Sequence, residues 1–325
     1  MSIPRATARL QFHKDFTLDD AAGVVDYYAG LGITHLYASP ILTARPGSMH
    51  GYDVVDPTRL NPEVGGEPAL RRLVARLREA GMGLIADIVP NHMGVGPDNP
   101  WWQDVFEWGP DSRYAGWFDI EWHSTDPALE GKILAPFLGQ PYGDALRAGE
   151  IRLEFDKASG KLFACYFNHR FPLAPSTYAM VLRDDVEISD ALSRFSAETA
   201  DGVEALHRLL ERQHYRLTWW RNAAEEINWR RFFEVSDLAG VRVEKDEVFE
   251  ATHALIFRLY AEGLIDGVRI DHVDGLANPG AYCRRLRQRL EELAPGRPAG
   301  APQTAPYIIV EKILAAGEQL RPDWG

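Results

Sequence analysis

"EPALRRLVARLREAGMGLIADIVPNH", residues 67–92, joins two periodicities at one glycine. Leu70, Leu73, Val74 and Leu77 recur at steps of three and four, which draws one apolar stripe along an amphipathic helix. Gly81 supplies the left-handed residue on which such a helix stops. The next stretch, 82–92, is apolar until its end and reads as a strand covered on both faces. A helix feeding straight into such a strand is the repeating unit of a parallel α/β fold.

The unit recurs on either side. Residues 6–12 (ATARLQF) and 34–41 (THLYASPI) read as strands, and 17–32 between them as a helix with Thr17 as N-cap. Residues 246–263 read as a helix before the strand 264–270 (LIDGVRI), and 279–293 as a helix before the strand 307–314 (YIIVEKIL). Five strands result. The stretches 43–66 and 294–306 (APGRPAGAPQTAP) read as loops, the second floppy and on the surface. The interval between the third strand and the helix at 246 is too long for a loop. Three parts are therefore expected: residues 1–92 with strands one to three, an insertion over 93–245, and 246–325 with strands four and five. Within the insertion, 150–155 and 161–167 have strand character, and 187–230 reads as helical.

Composition narrows the function. The 325 residues carry 35 Lys and Arg against 47 Asp and Glu, a net charge of −12. That balance argues against nucleic acid or an anionic membrane as partner and accommodates a neutral ligand such as sugar. The two cysteines form no CxxC pair, so neither a zinc site nor a disulfide framework is expected. No signal-peptide core or membrane-length apolar run is present, which places the chain in the cytoplasm.

In parallel α/β folds, ligands bind at the C-terminal ends of the strands. Strand three ends with Asp87, Asn91 and His92, strand four with Arg269, Asp271 and His272, and strand five with Glu311 and Lys312. Arg269 and Asp271 share a face because side chains alternate along a strand. The guanidinium is expected to hold Asp271 ionised, as a nucleophile requires. Adjacent parallel strands lie about 4.8 Å apart. Asp271 and Glu311 can therefore reach the separation of about 5–5.5 Å that a retaining glycosidase uses. An apolar pocket around Glu311 would raise its pKa for general-acid work. A structural Arg269–Asp271 ion pair with an unrelated Glu311 explains the same residues. The strand ends alone leave these two readings level.

The motifs go further. Asp87-Ile-Val-Pro-Asn-His92, Gly267-Val-Arg269-Ile-Asp271, the glutamate of IVEKIL and HGYD at 50–53 occur in an order that resembles the α-amylase family of glycoside hydrolases. Longer stretches, among them GSMHGYDVVDPTRLNPE, LERQHYRLTWWR and RIDHVDGLANP, are similar to the maltooligosyltrehalose synthase branch of that family. The resemblance implies a (β/α)8 TIM barrel, of which about the first five units are present, with a long insertion after strand three. It implies conversion of the reducing-end α-1,4 linkage of a malto-oligosaccharide into an α,α-1,1 linkage.

It also implies roles. Asp271 is the nucleophile and Glu311 the acid/base. Arg269, Tyr52, Asp53, Asp87, His92, His272 and Lys312 belong to the substrate site. For Asp87 a purely structural ion pair weighs as much as sugar contact. For His272, Asp274 and Lys312 a surface role weighs as much as one on the leaving-group side. Asn91 matches a calcium-ligand position of many amylases, but no acidic calcium loop accompanies it, so neither a metal nor a cofactor is expected. The expected partners are the malto-oligosaccharide and, in the pathway, a trehalose-releasing hydrolase. The family carries a third catalytic acid in an H-D pattern near strand seven, and no matching segment follows strand five here. The chain is therefore expected to be the N-terminal portion of a longer enzyme, inactive alone. A retaining α-1,4-glucan hydrolase and a non-catalytic malto-oligosaccharide-binding fragment remain the alternatives.

Overall fold

The structure is a computed structural model that describes residues 3–183, 185–301 and 305–324. It divides into two compact units, 1–94 with 241–325, and 95–240. Among the described residues no helix is long and apolar enough to cross a membrane.

The first unit is built on a parallel sheet of five strands: β1 (Thr7–Leu10), β2 (His35–Ala38), β3 (Gly83–Ile88), β4 (Gly267–Ile270) and β5 (Tyr307–Val310), side by side in that order. The registers pair Arg9 with Tyr37, Tyr37 with Ile85, Asp87 with Arg269 and Arg269 with Ile309. Because parallel partners share a face, parity sorts the whole sheet. Leu10, Leu36, Ala38, Leu84, Ala86, Ile88, Val268 and Ile270 are buried on one face. Arg9, Tyr37, Asp87, Arg269 and Asp271 stand on the other, continued by Glu311 just after β5.

Among the described residues of this unit the α-helices are α1 (Leu18–Gly23), α2 (Val25–Gly30), α3 (Gly66–Glu79), α4 (Asp246–Ala261) and α5 (Pro279–Leu293). In α3, Leu70, Leu73 and Leu77 are completely buried, each contributing about 1.5–3 kcal/mol in apolar transfer. Gly81 follows with φ +69°, the conformation its missing Cβ permits. Thr17 caps α1 in a reciprocal box with Asp20. The single helix expected over 17–32 is broken at Val24, where φ −109° and ψ 6° leave the helical region. Gly23, with poor helix propensity, and two β-branched valines sit at the break.

Two other readings change and a third is refined. The stretch 43–66 is not all loop: Leu42–Ala44 and Val54–Leu60 pair as an antiparallel ribbon with an irregular register. Pro57, which cannot donate to a ladder, hid that strand. The expected strand 82–92 ends at Ile88, and Pro90 separates it from a short strand at His92–Gly94. The stretch 294–306, with Pro302–Thr304 outside the described residues, is a largely exposed loop as expected, but one of its residues is anchored. Its Arg297 is 5 % exposed, and its Nη1 donates to Ile265 O at 3.1 Å and Nη2 to Asp266 Oδ1 at 3.0 Å. Arg78 holds the same carboxylate at 2.7 and 2.9 Å, and the Leu84 N–H donates to it at 2.9 Å. Asp266 thus ties α3, the start of β3 and the loop before β5 together.

The second unit contains an antiparallel sheet of Ile151–Asp156, Lys161–Tyr166 and His169–Pro172. A separate parallel pair joins Ile133–Leu138 to Tyr215–Trp219. The second member lies in the region read as helical. Its aromatic and β-branched residues, YRLTW, suit a strand once a partner is supplied. Trp102, Phe106, Phe118, Tyr215 and Trp229 pack edge to face in the core.

Candidate active site

Arg269 is the centre of a cluster at the C-terminal ends of β3, β4 and β5. Its Nη1 donates to Asp87 Oδ1 at 2.9 Å and Oδ2 at 3.0 Å, and to Asp271 Oδ1 at 2.8 Å. Its Nη2 lies 3.1 Å from Glu311 Oε2. One guanidinium thus serves three carboxylates, each delivered by strand parity. The register sets Arg269 beside Asp87, while Asp271 and Glu311 follow two residues further along the same face. The sequence grouped Arg269, Asp271 and Glu311 and gave Asp87 two readings. The geometry brings all four together.

Asp87 lies deepest, with no exposed surface. Besides Arg269 it accepts from Tyr37 Oη at 2.8 Å and Tyr52 Oη at 2.7 Å. Burial raises its pKa against the pull of Tyr52, Arg269 and Tyr37. Its oxygens are engaged by Arg269, Tyr37 and Tyr52, which sets it as a support beneath Arg269. Tyr37 and Arg9, which donates to Tyr52 Oη at 3.1 Å, are members of the site that sequence reasoning missed. Both are polar residues inside short strands at the parity of Asp87, and that parity was the available signal.

Burial rather than Arg269 dominates the electrostatics at Asp271. Burial pushes Asp271 up from 3.8 to about 6, with the charge of Asp87 and then Glu311 adding to it and Arg269 opposing. The arginine therefore does not outweigh desolvation, because it is divided among three acids. Glu311 does not occupy an apolar pocket. It is 39 % exposed, and its Oε2 accepts from the His272 backbone N–H at 2.9 Å as well as from Arg269. That N–H points to Glu311 because His272 adopts φ 46°, a left-handed conformation uncommon for a residue with a side chain. His272 therefore joins the cluster through its backbone. Gly275 makes room for its ring, since a Cβ there would lie 2.4 Å from His272 Cδ2.

The remaining residues divide. Tyr52 is half-buried, with its hydroxyl committed to Asp87 and Arg9. Asp53 accepts from Ser48 Oγ at 2.5 Å and serves its own loop. His92 is buried beside Asn91, whose Nδ2 lies 3.4 Å from His92 Nδ1. Lys312 pairs with Asp274 Oδ2 at 3.2 Å and Glu318 Oε1 at 2.9 Å, so Lys312 and Asp274 answer each other. Among the described residues no group of three His, Cys, Asp or Glu is arranged to hold a metal ion.

Comparison with known proteins places the fold. Residues 17–172 match the family model described as alpha amylase, catalytic domain. A relative from Mycobacterium tuberculosis (strain ATCC 25618 / H37Rv), provisionally named a maltooligosyl trehalose synthase, is 42% identical over 94% of this chain and 34% of its own. The solved structure of maltooligosyltrehalose synthase from Arthrobacter ramosus is 41% identical with a TM-score of 0.77, covering 99% of this chain and 36% of that one. The DSM5389 glycosyltrehalose synthase is 37% identical with a TM-score of 0.81, covering 98% and 38%. This chain thus spans about a third of the length of the curated relatives it matches. The α/β fold is of the amylase type, and over residues 17–172 the chain matches the alpha-amylase catalytic domain.

Proposed function

We propose that this chain carries the nucleophile and the acid/base of a retaining isomerase that turns the reducing-end α-1,4 linkage of a malto-oligosaccharide into an α,α-1,1 linkage. The observation that carries the reading is the pair Asp271 and Glu311, on the ends of adjacent strands and within 2.8 and 3.1 Å of one guanidinium. Asp271 attacks the anomeric carbon and forms a glycosyl ester. Glu311 protonates the departing oxygen. Both donors on Glu311 meet Oε2, which leaves Oε1 to carry that proton. The freed glucose turns over, Glu311 takes the proton from its anomeric hydroxyl, and that oxygen attacks the ester. Arg269 and Asp87 hold both acids in register.

Water must be kept out, or hydrolysis replaces transfer. A retaining α-1,4-glucan hydrolase, which would use the same pair of acids, is the second reading. A complete barrel would also need partners for the outer edges of β1 and β5. The reading assigns these to further strands of the same enzyme, together with a third acid. Product would pass to a trehalose-releasing hydrolase. The test is a reducing-end assay on maltopentaose with the intact enzyme. Loss of reducing ends at constant chain length supports the isomerase, and a rise in reducing ends sinks it. Asp271→Asn should abolish the conversion.

A further inference from the structure

A cavity of about 390 Å³ lies within the 95–240 unit, lined only by residues between Asp126 and Glu226. Its size falls in the range of about 300–1,000 Å³ typical of small-molecule sites. Tyr142 and Trp219 supply flat apolar surface, while Asp126, Arg216, Asn222 and Glu226 supply donors and acceptors. None of these belongs to the Arg269 cluster. We propose that the cavity binds glucosyl units of an α-1,4-glucan chain, as a site additional to the one at Arg269. The choice of an α-glucan rests on the function proposed above.

Three observations point to a polyhydroxylated ligand that carries no negative charge. The first is the pairing of aromatic faces with planar polar groups. A pyranose ring shows apolar C–H faces and a rim of hydroxyls, and this lining can meet both at once. The second is charge. The lining holds Asp126, Glu211 and Glu226 against Arg216, a balance that disfavours phosphate or another anion. A cationic ligand has little to gain at Trp219, because the Arg221 guanidinium already lies 4.7 Å from its ring centre.

The third is preorganisation. Asn222 Nδ2 donates to Thr218 Oγ1 at 3.1 Å and to Glu226 Oε2 at 3.4 Å, and Tyr142 Oη meets His207 Nδ1 at 3.1 Å. These bonds hold Asn222 and Tyr142 in place before a ligand arrives. Trp219 is the exception: its Nε1 is buried with no acceptor among the described residues. That N–H is an unsatisfied donor beside the cavity, for which a sugar oxygen would be a fitting acceptor.

The test is calorimetric titration of this chain with maltotriose, followed in parallel by the Trp219 indole N–H resonance. Expected are binding, a shift of that resonance, and affinity at least tenfold weaker in Trp219→Ala. Asn222→Ala, which leaves the aromatic wall intact, should weaken binding several-fold with an unchanged melting temperature. It decides the matter if Trp219→Ala does not fold. The proposal is overturned if the Trp219 resonance does not move, if the foldable variants bind like the parent, or if cellotriose binds equally well. Failure of the isomerase reading would appear instead in the maltopentaose assay, whatever the titration gives.

Discussion

Asp271→Asn should make the protein more stable at neutral pH while removing the group assigned to the chemistry. The folded environment displaces the Asp271 pKa from 3.8 to about 6, burial being the largest cause. A carboxyl whose folded pKa is raised binds protons more tightly in the native state than in the unfolded one. Its contribution to stability is complete below 3.8, is lost as pH climbs through about 6, and changes no further above that. At about 1.4 kcal/mol per pH unit, the ionised carboxylate costs about 3 kcal/mol of folding free energy at pH 8. Asparagine copies the shape of the neutral acid and never ionises, and its Oδ1 can still accept from Arg269 as Asp271 Oδ1 does at 2.8 Å. The variant should therefore match the parent near pH 4 and exceed it by about 2–3 kcal/mol at pH 8, most of the gain appearing between pH 4 and 7. Urea unfolding of both proteins at half-unit steps across that range measures it. A pH-independent difference, or a variant less stable at pH 8, would refute the electrostatic account and restore Arg269 as the dominant influence on Asp271.

Two further outcomes concern residues outside the chemistry. Arg297→Met should lower stability by about 3–5 kcal/mol in chemical denaturation, because Asp266 is buried and Arg297 is one of its two cations; a loss below about 1 kcal/mol would mean that Arg78 alone suffices. At His272, glycine and alanine both remove the ring, but only glycine relieves φ 46°. His272→Gly should melt above His272→Ala by the equivalent of about 1 kcal/mol, and equal melting temperatures would show that the left-handed turn stores no strain.

What the sequence disclosed, and what it withheld, follows from the range of each force involved. The order of helices and strands in the first unit was legible because burial imposes periodicity locally: Leu70, Leu73 and Leu77 declare their helix without reference to anything else. The strand Tyr215–Trp219 was not, since its hydrogen bonds go to Ile133–Leu138, far away in the chain. Arg297 deceived for the same reason, its Pro- and Gly-rich neighbours suggesting a loose loop while a distant carboxylate pinned it down.

The site follows the same rule. Motifs located Arg269, Asp271 and Glu311, but the relative strength of their interactions depends on how many acids share one guanidinium. That number emerges only when Asp87 is seen beneath it, with Tyr37 and Tyr52 already spent on its oxygens. Burial first, and the charge of Asp87 with it, make Asp271 harder to ionise than a simple Arg–Asp pair would be. Replacing Tyr52 by Phe would remove one donor from Asp87 and leave that carboxylate more dependent on Arg269 Nη1, the atom that also serves Asp271. The support layer, which no single motif encodes, thus helps to set the charge on the residue to which the chemistry is assigned.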